Sequence, residues 1–123
     1  MIQGVDSASA LAIEKWGWKY HHTGTPTTAI KDGKKYIPHR GFYASGFSES
    51  PFGIEWMRLE ANSPIHPLAQ KIPHIAFEAD DLDYELAHHI FKVITAPGSP
   101  SAKIQVAMLK HNGAPVELIE FKK

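Results

Sequence analysis

The sequence predicts an α+β fold made of two βαβββ modules in tandem, the first with a shortened or missing helix. Three observations point to it. Residues 72–121 read as a strand, a helix and three further strands, from the change of hydrophobic period along them. Each half opens on a histidine followed by small or apolar residues, HTGTPT from His22 and HIAFEA from His74. Each half also closes on a strand with a glutamate near its start, GIEWMRLE and PVELIEF, after a turn containing proline and glycine. Self-similarity of this kind marks a duplicated unit.

In chain order, residues 6–15 (DSASALAIEK) predict a short helix capped by Asp6 or Ser7. Residues 16–24 (WGWKYHHTG) predict a strand in which Trp16, Trp18, Tyr20 and His22 alternate with Gly17, Lys19 and His21. TPTT and KDGKK interrupt it, and a strand pair is expected within 36–47, bending at Gly41 and Gly46. SESPFG is a turn and GIEWMRLE (53–60) a strand. Module one thus spans about 16–62. Residues 63–71 are expected to be an irregular linker, because Pro64 and Pro67 interrupt backbone hydrogen bonding.

Module two covers about 72–121. IPHIAFEA (72–79) is a strand, and Asp80 or Asp81 caps a helix reaching about His89. Leu82, Leu86 and Ile90 form its apolar stripe. KVITA (92–96) is a short strand before a PGSPS turn, and KIQVAMLK (103–110) is a strand with Ile104, Val106 and Met108 on one face. Asn112-Gly113 is a hairpin turn, since both residues tolerate positive φ. PVELIEF (115–121) is the last strand. His22 to Glu55 spans 33 positions and His74 to Glu117 spans 43. The deficit falls where module two has its helix.

Composition narrows the function. The chain has 123 residues, 43% of them hydrophobic, enough for one domain with a core. Lys+Arg and Asp+Glu are 13 each, so neither nucleic acid nor an anionic membrane is an expected partner. The absence of cysteine excludes disulfides, thiolate metal sites and cysteine nucleophiles. No signal peptide or membrane-spanning run is visible, so a cytoplasmic location is expected. Histidine is abundant, at 8.

The strand positions of His22, Glu55, His74 and Glu117 make them candidate ligands of one divalent cation. Glu55 lies between Ile54 and Trp56, and Glu117 between Val116 and Leu118. Both faces of those strands are therefore apolar, and a carboxylate buried there needs a partner or a cation. A single strand glutamate is ordinarily solvated or salt-bridged, and a single strand histidine is ordinarily hydrogen-bonded in a core. The repetition in both halves raises the ligand reading. Imidazole with carboxylate suits Zn, Ni, Co, Mn or Fe.

PHIAFEADDLD followed by NGAPVELIEF resembles the second module of glyoxalase-like proteins of the vicinal-oxygen-chelate superfamily, and HHTGTPT with PFGIEWMRLE resembles the ends of the first. The resemblance covers roughly 18–121. It implies curved sheets forming a cup around a metal, with His22, Glu55, His74 and Glu117 as ligands and His21 as the rival to His22. It also implies proton transfer next to a metal-held carbonyl of a small substrate, by an isomerase or lyase, with Glu117 or Glu55 as base. Trp18, Tyr20, Glu78, Met57 and Phe121 are candidate pocket residues, and Lys103, Lys110 and Arg58 candidate anion holders. An Fe(II) dioxygenase, using two histidines and one carboxylate, is an alternative. So is a non-enzymatic resistance-type binding protein, although those generally lack the ligands. A homodimer is expected, since superfamily members often pair.

Overall fold

The computed structural model describes residues 11–31, 33–38 and 40–122. Eight strands form one curled mixed sheet: β1 (Lys19–Pro26), β2 (Lys35–Ile37), β3 (Phe42–Ser45), β4 (Ile54–Leu59), β5 (His74–Glu78), β6 (Lys92–Ser101), β7 (Ile104–His111) and β8 (Ala114–Phe121), in the order β2-β3-β4-β1-β5-β8-β7-β6. In each module the first strand pairs parallel with the last (β1 with β4, β5 with β8), and the others follow antiparallel. The modules join through antiparallel β1 and β5. This is the expected α+β glyoxalase-like cup.

Three short helices accompany the sheet: α1 (Ala12–Trp16), α2 (Pro67–Lys71) and α3 (Leu82–His88). Module two crosses from its first to its second strand through α3. Between β1 and β2 there is no helix among the described residues. Asp81 caps α3, accepting a hydrogen bond from Tyr84 N at 3.1 Å. Leu82 is fully buried and packs in a cluster with Trp18, Ala107, Leu109 and Leu118. Ile90, placed on the apolar stripe by its spacing, is exposed because α3 ends at His88.

Three further expectations are corrected, and a fourth lies outside the described residues. Trp16 belongs to α1 rather than to the first strand. The Asp6 or Ser7 cap lies outside the described residues, and the helix begins after Leu11. The 63–71 segment holds α2: Pro67 stands in its first turn, where its missing N–H costs nothing, and the His66 imidazole accepts from Leu68 N at 3.1 Å. β6 continues through PGSPS to Ser101, because it is the sheet's edge strand and its pairing to β7 is broken by register shifts. The Asn112-Gly113 hairpin is present, with φ of 49° and 79°.

Candidate metal centre

The register of the four central strands builds the site. Thr23 faces Ile75 across the β1–β5 junction, flanked by the pairs His22–Ala76 and Gly24–His74. Gly24 also faces Glu55 on β4, and Ala76 faces Glu117 on β8. Two parallel rows result: Glu55, Gly24, His74 and Glu117, Ala76, His22. Each has a small residue between its histidine and its glutamate. That small centre is what leaves room for the rings. A Cβ on Gly24 would lie 2.2 Å from His74 Cε1 and 2.7 Å from Met57 Sδ. Glycine is therefore required there by close approach.

The side chains converge. The ligand atoms of His22, His74 and Glu117 all lie within 4.8 Å of one another, and all three residues are buried. Glu117 Oε1 is 3.2 Å from His74 Nε2 and 3.5 Å from His22 Nε2. Glu55 is outside this tight group, with Oε1 3.9 Å from His22 Nε2 and its side chain 23% exposed. All four line a cavity of about 300 Å³ whose other walls include Ile104, Val106 and Ile119. Met57 and Phe121 line it too.

The donor set fits a divalent cation. His74 is 4% exposed; its Nδ1 has no hydrogen-bond partner among the described residues, and its Nε2 faces the Glu117 carboxylate 3.2 Å away, outside hydrogen-bond geometry. A buried polar group left this way needs an explanation, and an ion between Nε2 and Glu117 would supply one for Nε2. Protonation is favourable as well. Burial pushes His22 down to about 4, with Glu117 opposing and His74, His21 and Arg40 assisting. Its imidazole is thus neutral and able to ligate near pH 7. Burial pushes Glu117 up, but His74, Arg40 and His22 outweigh it and hold its carboxyl below the ordinary range. Glu55 is raised, by burial first and by the charge of Glu117 second.

The structure gives His21 a different place from the one expected of a rival ligand. The β1–β5 register shifts between Tyr20 and His22, which leaves His21 as an extra residue. Such a bulge lets two consecutive side chains face one side, and His21 and His22 both line the cavity. Their Nδ1 atoms are 2.6 Å apart, a hydrogen bond in which one ring donates to the other. With His22 Nε2 turned toward the glutamates, its Nδ1 is the atom held by His21.

The same bulge removes two candidate pocket residues. It reverses the alternation, so Trp18 and Tyr20 point to the opposite face from His22. Trp18 is buried beneath α3, donating from Nε1 to Glu85 Oε1 at 2.9 Å. Tyr20 is 40% exposed and donates to Phe52 O. Glu78 does not line the cavity. Four residues beyond His74 along β5, it is displaced by about 13 Å of strand. Of the candidate anion holders, Arg58 lies over the Tyr43 ring at 4.3 Å, and neither Lys103 nor Lys110 lines the cavity. Arg40, in the β2–β3 connection, does; its Nη2 is 3.5 Å from Glu117 Oε2. No local pattern in PHRGF singles it out, because its approach to Glu117 spans 77 positions of sequence.

No family model matches the chain, and no curated protein matches it. Among solved structures it is similar to methylmalonyl-CoA epimerase from Mycobacterium tuberculosis, with 17% identity and a TM-score of 0.58 over 85% of this chain and 89% of that one. The fold is glyoxalase-like. The chain is also similar to a hypothetical protein from Bacillus halodurans C-125, with 25% identity and a TM-score of 0.61 over 86% of this chain and 96% of that one. Within this glyoxalase-like cup, His22, His74 and Glu117 can hold a metal ion. Among the described residues no helix is long and apolar enough to cross a membrane.

Proposed function

We propose that the chain is a metal-dependent isomerase or lyase that moves a proton next to a carbonyl of a small oxygenated substrate. The observation that carries this reading is the convergence of two buried histidines and a buried glutamate in a largely apolar cavity. The likeness in fold to an epimerase supports it. His22, His74 and Glu117 would hold one divalent ion, with Glu55 as fourth donor. Such an ion is a Lewis acid that makes a proton beside a carbonyl easier to remove.

The chain's own residues have distinct tasks. Glu117, its carboxyl held below the ordinary range by His74, Arg40 and His22, would stay ionised as a ligand. Glu55 is the residue we assign to take and return the proton. It reaches the cavity, stands apart from the tight group, and its raised pKa brings it nearer neutral working conditions. Ile104, Val106 and Ile119 give the cavity it reaches apolar walls. The test is proton NMR in D₂O of the metal-loaded protein with a panel of hydroxy-carbonyl and acyl thioester compounds. Wild type should wash out the proton beside the carbonyl of at least one of them. Glu55→Gln, kept at saturating metal, should slow this by about 10²-fold or more. Equal rates in both proteins contradict the assignment.

One observation favours a second reading. The tight group is two histidines and one carboxylate, the ligand set of Fe(II) oxygenases. Oxygen consumption by anaerobically iron-loaded protein, retained in Glu55→Gln, would support it over proton transfer.

A further inference from the structure

We infer that Arg40 seats an anionic group, so that the substrate is a small acid whose carboxylate lies beside the metal. The inference rests on the metal reading above and adds the substrate's chemical class. Arg40 is the one lysine or arginine among the described residues that lines the cavity holding His22, His74 and Glu117. It also lines a second cavity of about 330 Å³ that shares Val106 and Glu117 with the first. The guanidinium therefore stands where the two spaces meet.

Its pairing is incomplete. A guanidinium has five N–H donors in a planar fork. Among the described residues only Nη2 meets an acceptor, Glu117 Oε2, at 3.5 Å. Charge-assisted bonds of this type run nearer 2.7–2.9 Å and are often two-pronged. The contact is thus loose and one-pronged, and the fork retains donors for a second carboxylate. Charge points the same way. A divalent ion and the guanidinium together outweigh ionised Glu55 and Glu117 by one positive charge, which one anionic ligand would neutralise. The apolar walls nearby, Val106 and Ile119, suit a short carbon chain between that anion and the oxygens that meet the metal.

The test uses cobalt-loaded protein and two hydroxamates, read by the visible spectrum of the ion. Acetohydroxamate offers two neighbouring oxygens alone; succinomonohydroxamate adds a carboxylate. Wild type should bind the second about tenfold or more tightly over the first. Arg40→Gln should abolish that preference while keeping cobalt stoichiometry and acetohydroxamate affinity. Arg40→Lys, which keeps the charge but loses the fork, should keep part of it. Equal binding of both probes by wild type overturns the anion seat alone. So does an Arg40→Gln protein that loses cobalt or both probes equally, since Arg40 would then act only through Glu117. Wild type that takes up no cobalt overturns the metal reading and this inference together.

Discussion

The two modules repeat one plan with different degrees of enclosure. In module two, β5 and β8 hold His74 and Glu117 almost entirely away from solvent, backed by α3 and the Leu82–Leu118 cluster. In module one, β1 carries a bulge at His21, the crossover to β2 lacks a helix among the described residues, and Glu55 stays partly open to the cavity. On the proposed reading, the difference would separate two tasks that a fully symmetric duplication would give to both glutamates. The enclosed half would supply a fixed charge, and the looser half a carboxyl that can change its proton.

The largest test of this contrast is metal affinity. His74→Ala or Glu117→Gln should weaken binding by about 10³-fold, more than the 10–100-fold typical of groups that merely orient ligands. Glu55→Gln should fall within that smaller range. Isothermal titration with Zn²⁺ would check all three, and equal losses at Glu55 and Glu117 would erase the distinction.

Next comes the support beneath module two. Leu82→Ala removes a fully buried side chain from α3 and should cost about 3 kcal/mol in urea unfolding. Module one has no corresponding helix between its first two strands among the described residues.

Acid should then expose the strain of burying His22. Its folded pKa, about 4, is below the ordinary 6.5, so the unfolded chain binds more protons between those values. Stability of the metal-free protein should therefore fall as pH drops from 6.5 towards 4, by about 2 kcal/mol after allowing for relaxation. The lowered Glu117 adds to the acid loss at still lower pH, whereas the raised Glu55 acts in the opposite direction. His22→Gln should flatten this slope in urea midpoints measured across the window.

The smallest effect is at the row centres. Gly24→Ala forces its new methyl onto the His74 ring and should cost about 1–2 kcal/mol together with metal affinity. Ala76→Gly, the counterpart position, should cost about 0.5–1 kcal/mol and leave metal binding intact.

Much of module two was legible because its signals are local: the Asp81 cap, the Asn112-Gly113 turn, and the strand alternation around His74 and Glu117. What stayed hidden depends on partners distant in sequence. The bulge at His21 exists only in register with β5, and it sends Trp18 and Tyr20 to the opposite face. Pro67 reads as a breaker until its place in a helix's first turn is known, and the prolines after Ala96 read as a turn until β6 is seen to be an edge. Arg40 reaches Glu117 only because β2, β3 and β4 curl over β1.

The most direct measurement is elemental analysis of protein purified without a metal-affinity tag, followed by titration with divalent transition metals. The arrangement requires about one equivalent bound per chain in wild type and less than about one-tenth in Glu117→Gln at the same free metal concentration. Wild type with less than about one-tenth equivalent, and no uptake on titration, would contradict the metal centre itself.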